Sequence, residues 1–109
     1  MPALLETRED MNDKLRDAQM DTLFKAILGL KDVEECYRFF DDLCTVNELR
    51  SMEQRFHVAR MLAQGSIYSD IVAKTGASTA TISRVNRCLN YGNDGYRDAI
   101  ERLGDDESV

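Results

Sequence analysis

Apolar residues recur along the chain at intervals of three and four, interrupted by short polar or glycine-containing joints, with no sustained two-residue alternation. That spacing lines them along one side of a helix and predicts an all-α chain of five to six helices. The first expected helix covers residues 12–30, with Met20, Leu23, Phe24, Ile27 and Leu28 as its apolar stripe and Gly29 weakening its end. Asp32 is placed to cap a second helix, which sets Val33, Cys36, Tyr37, Phe40, Leu43 and Cys44 against solvated Glu34, Glu35, Asp41 and Asp42. Thr45, with Glu48 three residues on, reads as a capping box opening a third helix that runs to Gln64 and ends at Gly65. Its Val46, Leu49, Met52, Phe56, Val58, Ala59, Met61, Leu62 and Ala63 cover more than one face. A helix so apolar is buried on several sides, more than a small monomer provides.

The next joint carries the chemistry. Residues 69–87 read SDIVAKTGASTATISRVNR, two short helical patterns meeting at Gly76. Ser66 or Ser69 is expected to start the first, and Ser78 to cap the second, which runs over residues 78–89. A glycine free to take positive φ, a hydroxyl cap behind it and inward Ile82, Val85 and Leu89 are the parts of a helix-turn-helix. Thr79, Ala80, Ser83, Arg84 and Arg87 then face outward, short and polar enough for close approach to a duplex. Thr79, Ala80 and Ser83 are the base-edge candidates, with Ala80 suited to a thymine methyl; Arg84, Arg87 and Lys74 suit phosphates. Ser78 and Thr81 complete the expected DNA-binding set. The competing reading is a solvated bundle helix, against which the hydroxyls at Thr79, Thr81 and Ser83 count, since they lower helix propensity. Ser66 and Ser69 suit a phosphate at a helix N-terminus or a plain cap equally. Asn93 is expected to cap a last helix carrying Tyr96, Ala99, Ile100 and Leu103.

Charge changes the picture only once it is located. The net charge of −6 over 109 residues argues against a nucleic-acid partner. Yet residues 45–91 hold 6 Lys and Arg against 3 Asp and Glu, a net +3, while residues 1–44 are at 6 against 11 (−5) and residues 92–109 at 2 against 6 (−4). Counterion release depends on local phosphate contacts, and acidic ends steer a duplex to the basic face, besides conferring solubility. One domain over residues 12–103 is expected, with residues 1–11 a flexible arm and residues 104–109 a disordered tail.

Other chemistries are poorly supported. Cys36, Cys44 and Cys88 are odd in number with no C-x-x-C pair, so neither a disulfide framework nor a zinc site is expected, and no metal or cofactor with them. No serine or cysteine has an identifiable base partner and His57 stands alone, so the chain is not expected to be an enzyme. No apolar run is long enough for a bilayer and the N-terminus lacks a secretory h-region; a cytoplasmic protein without membrane contact is expected. Phe24, Tyr37, Phe39, Phe40 and Phe56 fall at helical spacing and read as core or as the seam of a dimer. A symmetric homodimer interlocking the first three helices supplies the missing core, and two reading heads about 34 Å apart double the contacts to DNA.

The phrase GASTATISRVNRCL after a long helix ending in QG resembles the Trp repressor superfamily, and within it the YerC/YecD-like branch of transcriptional regulators. The likeness is strongest over residues 76–84 and extends loosely across nearly the whole chain. It implies a Trp-repressor-like intertwined homodimer with two helix-turn-helix heads in successive major grooves of a palindromic operator. It also implies an effector pocket, whose threonine matches Thr45 and whose two arginines match Arg55 and Arg84. Two positions depart from a tryptophan site: Val85 stands where a glycine lies against the indole, and Cys88 where a serine lies near the ligand's amino group. The first motif helix is also one residue shorter. A valine in that slot overpacks the ring, typically by ~1–3 kcal/mol, so tryptophan is not expected as effector. Val85 is instead expected to fill the slot and hold the heads ready without ligand. An anionic effector of unknown identity at Arg55 and Arg84 remains an alternative, as does a plain ion pair between Arg55 and Glu53 or another carboxylate. The function expected is a transcriptional regulator, a repressor, that reads duplex DNA as a homodimer. The rival is a helical protein-interaction adaptor without DNA binding.

Overall fold

The computed structural model describes residues 13–104, which form six α-helices and one 3-10 turn with no strand among the described residues. The all-helical reading holds. They fall into two contact units, one ending at Thr45 and one beginning at Val46. The expected arm at residues 1–11 and the tail beyond Gly104 lie outside the described residues.

In the first unit, the single helix expected over residues 12–30 is a 3-10 turn, Asp13–Leu15, followed by α1, Ala18–Leu28. Asp17 makes the break. Its extended backbone (φ −160°, ψ 175°) starts the helix afresh, and its carboxylate accepts the Met20 N–H at 2.7 Å. Asp32 caps α2, Val33–Leu43, as expected, accepting the Glu35 N–H at 2.8 Å. Glu35 reaches back to accept the Lys31 N–H at 3.1 Å, one residue earlier than a strict capping box. Phe39 and Phe40 meet edge to face, centroids 5.3 Å apart. Neither α1 nor α2 contains a fully buried residue. Leu28 is 83% exposed, and Phe24, Val33 and Tyr37 also stand open.

The second unit has a core. Its post is α3, Val46–Ala63, against which α4 (Tyr68–Thr75), α5 (Thr79–Tyr91) and α6 (Gly95–Leu103) all pack. Val58, Ala59, Met61, Ile71, Ala77, Ile82 and Val85 form the buried cluster, with Leu62, Tyr96 and Ile100 against it. Only the C-terminal half of α3 is enclosed, since Val46 and Met52 are exposed. At the end of α3, Gly65 takes φ 88°, the Ser66 N–H reaches the Met61 carbonyl (3.0 Å) and the Gly65 N–H that of Leu62 (3.0 Å). This is the Schellman arrangement, which satisfies carbonyls the helix leaves over.

Two expected caps are not observed. Neither Ser66 nor Ser69 starts α4: Ile67 is its N-cap, without a side-chain hydrogen bond. Asn93 does not cap α6 either. Asp94 holds that position in the left-handed region (φ 67°), from which its own side chain makes no cap bond. The exit from α5 is tight, since a Cβ on Gly92 would run into the Cys88 carbonyl oxygen.

Candidate nucleic-acid interface

The α4–α5 corner is built around one glycine. Gly76 takes φ 74°, ψ 5°, and its N–H closes α4 on the Val72 carbonyl. A side chain there would be strained in the left-handed region, as expected of the motif's turn. Thr75 braces the corner: its hydroxyl donates to the Ile71 carbonyl at 2.7 Å and accepts the Ala77 N–H at 3.1 Å. Ser78 caps α5 as expected, its oxygen accepting the Thr81 N–H and its hydroxyl donating to Thr81 Oγ1, each at 3.1 Å. Thr81 is half-buried and, like Ser78, engaged in the cap.

The two faces of α5 are sharply divided. Ile82, Val85 and Leu89 are buried beneath it, as their spacing requires, while Thr79, Ala80, Ser83, Arg84 and Arg87 are exposed. Ser78 and Lys74 at the end of α4 are exposed too. The corner thus carries seven open candidates, three of them cationic, and no acidic residue falls in the first turn of α5. Short hydroxyl and methyl side chains near the start of a helix, flanked by arginines, suit base edges and phosphates respectively.

The residues matched to an effector pocket are placed differently. Thr45 belongs to the first unit; Arg55, Arg84, Val85 and Cys88 belong to the second. Arg55, Arg84 and Cys88 are exposed, but Val85 is 1% exposed and packs within the core cluster. Glu53, one alternative partner for Arg55, instead pairs with Arg50 at 3.0 Å.

Two residues bear on this corner that spacing along the chain does not single out. Gln54 on α3 donates its Nε2 to the Thr75 carbonyl at 3.1 Å, across 21 positions. Arg97 on α6 donates Nε to the Leu89 carbonyl and Nη2 to Asn90 Oδ1, both at 2.9 Å. No local pattern reveals either bond, because each joins separate helices.

These features define an all-helical protein with a helix-turn-helix on a helical post. Residues 18–104 match the family profile described as Trp repressor protein. The chain belongs to the Trp repressor family. It is 62% identical over 96 residues to YerC of Bacillus subtilis (strain 168), itself uncharacterized, covering 88% of this chain and 92% of that protein. Among solved structures it is similar to a TrpR-like protein from Eubacterium eligens ATCC 27750, with TM-score 0.84 and 60% identity over 89% of this chain and all of that one. It is also similar to a candidate Trp repressor from Staphylococcus aureus, with TM-score 0.81 and 57% identity, covering 84% of this chain and 91% of the other. The fold expected from the sequence is that of these relatives. Among the described residues, no helix is long and apolar enough to cross a membrane.

Proposed function

We propose that the protein is a cytoplasmic transcriptional repressor that reads duplex DNA as a homodimer, through α5 laid in the major groove. One observation carries this reading: α5 is buried along Ile82, Val85 and Leu89, yet leaves Thr79, Ala80, Ser83, Arg84 and Arg87 wholly on its open side. The membership of the Trp repressor family supports it. Arg84, Arg87 and Lys74 hold phosphates and set register, while Thr79, Ala80 and Ser83 discriminate bases. Ser78 and Thr81 order the first turn through their mutual cap. The apolar side chains left open on each unit, Phe24, Leu28, Val33 and Tyr37 on the first and Val46 and Met52 on the second, are what a second copy of the chain covers.

Electrophoretic mobility shift on genomic duplex fragments over a salt series tests this. Two chains are expected per retained duplex, with affinity falling steeply as salt rises. Lys74→Ala is expected to lower the slope of log K against log salt by about one while leaving sequence preference intact. A chain that shifts no fragment at any salt is an adaptor, and the DNA reading fails.

Tryptophan is not the effector in this reading. The enclosed Val85 side chain fills space within the core and leaves the head set without a ligand. A ligand that binds only the folded state raises its melting temperature. No rise is therefore expected with millimolar tryptophan in a thermal-shift measurement, and a clear rise overturns the point.

A further inference from the structure

Side-chain clamps hold the end of α4, just before the corner, and the exit of the reading helix. At the entry, Gln54 reaches from α3 to the Thr75 carbonyl, immediately before Gly76. At the exit, the Arg97 guanidinium reaches from α6 to the Leu89 carbonyl and to Asn90 Oδ1. The bonds to the Thr75 and Leu89 carbonyls satisfy groups at helix ends, where the backbone has no partner of its own within the helix. The last turn of α5 holds no basic residue, so Arg97 supplies from α6 the positive charge that a helix C-terminus favours.

The exit clamp stands on fixed ground: Tyr96, adjacent to Arg97, is seated against the core with its ring 6.4 Å from Phe56. The exit clamp also fixes the amides along α5. Arg97 can only donate, so Asn90 presents its oxygen to Arg97 and its Nδ2 to Asn86, whose carbonyl and Oδ1 it reaches at 3.0 and 2.9 Å. A relay therefore runs from α6 one full turn back along the reading helix.

The geometry points to Gln54 and Arg97 as positioning residues that set the tilt of α5 against its scaffold, and with it the fit of Thr79, Ala80 and Ser83 to base edges. This rests on the DNA reading above and extends it, because neither residue lies among the outward candidates of the corner. Apolar burial along Ile82, Val85 and Leu89 holds α5 down, but burial is non-directional in itself. Directional bonds at the end of α4 and at the exit of α5 add that direction, and base readout is more sensitive to a rotation of the helix than phosphate contact is.

The test uses the full chain, a duplex recovered by selection from genomic fragments, and a scrambled duplex of the same length. Gln54→Met and Arg97→Met each remove a clamp while keeping an apolar stem of comparable reach. Each is expected to weaken binding to the selected duplex by about fivefold, the worth of one net hydrogen bond, and to leave the scrambled duplex nearly unaffected. The double variant should lose about the product of the two, and the salt slope should stay at the wild-type value. Arg97→Lys, which keeps the charge and one bond, should recover part of the lost discrimination. A merely structural role would lower the melting temperature and weaken both duplexes alike. A phosphate-contact role would lower the salt slope by about one. Either result, or variants with an unchanged ratio between the two duplexes, overturns the clamps while leaving DNA binding intact. Failure of the wild-type chain to bind any duplex overturns the DNA reading and the clamps with it.

Discussion

Ile82→Ala is expected to cost about 2–5 kcal/mol of unfolding free energy, among the largest losses any single truncation in the chain should produce. Ile82 is 0% exposed and sits in one cluster with Val58, Ile71 and Val85, so it joins α5 to both α3 and α4. Removing its three outer carbons forfeits their transfer from water and leaves a cavity that Gly76, Thr75 and Ser78 prevent from closing. Those residues fix the corner through hydrogen bonds that do not stretch to follow a shrinking core. Urea denaturation at fixed protein concentration measures the loss, the concentration being held because a dimer's stability varies with it. The slope should stay constant and the midpoint fall. Ile82→Val, which removes one carbon, should cost only about 0.5–1.5 kcal/mol. If both cost under about 1 kcal/mol, α5 is not held by its buried face.

The corner itself was legible in the sequence because its determinants are local. A glycine at φ 74°, a serine three residues before the amide it caps and three apolar residues at helical spacing lie within 14 positions of one another. Asp32 was legible for the same reason. Asp17 was not, since the apolar stripe from Met20 to Leu28 does not mark where its helix starts, and a carboxylate caps a helix only when its backbone turns extended. Likewise Ser66, Ser69 and Asn93 had the right chemistry for caps but stand one or two positions from the N-caps, Ile67 and Asp94. Gly65 closes α3 in a Schellman turn and Ile67 follows as the N-cap of α4, while Asp94 starts α6 from the left-handed region. Capping propensity states which residue would serve, whereas the preceding turn decides which residue stands there.

Burial shows the same division. The inward residues of α5 are enclosed by their own unit, so amphipathic spacing reads them correctly. The equally regular stripes of α1 and α2 and the first half of α3 enclose nothing fully. A stripe says that a face seeks cover without saying what covers it, and on the reading proposed here a second copy of the chain does so. The Gln54 and Arg97 bonds were beyond sequence reading altogether, because a polar side chain has no period and its partner lies on another helix.

Ala80→Glu is expected to abolish specific DNA binding without unfolding the protein. Ala80 is exposed in the first turn of α5 and takes no part in the core, so a longer side chain there meets no neighbour it must displace. A carboxylate near a helix N-terminus is favoured by about 0.3–1 kcal/mol, which offsets the small propensity advantage of alanine. Stability should therefore remain within about 0.5 kcal/mol of wild type. Against a duplex the same carboxylate faces phosphates and base-edge acceptors at close range. Like charges brought together in an interface cost several kcal/mol, which amounts to at least about a hundredfold in affinity. Ala80→Gln, of nearly the same size without the charge, should keep part of the affinity and lose discrimination at the base pair it meets. Retention of tight binding to the same duplex by Ala80→Glu at low salt would place the duplex elsewhere on the molecule, because a carboxylate on a reading face is accommodated only where it meets a cytosine amino group.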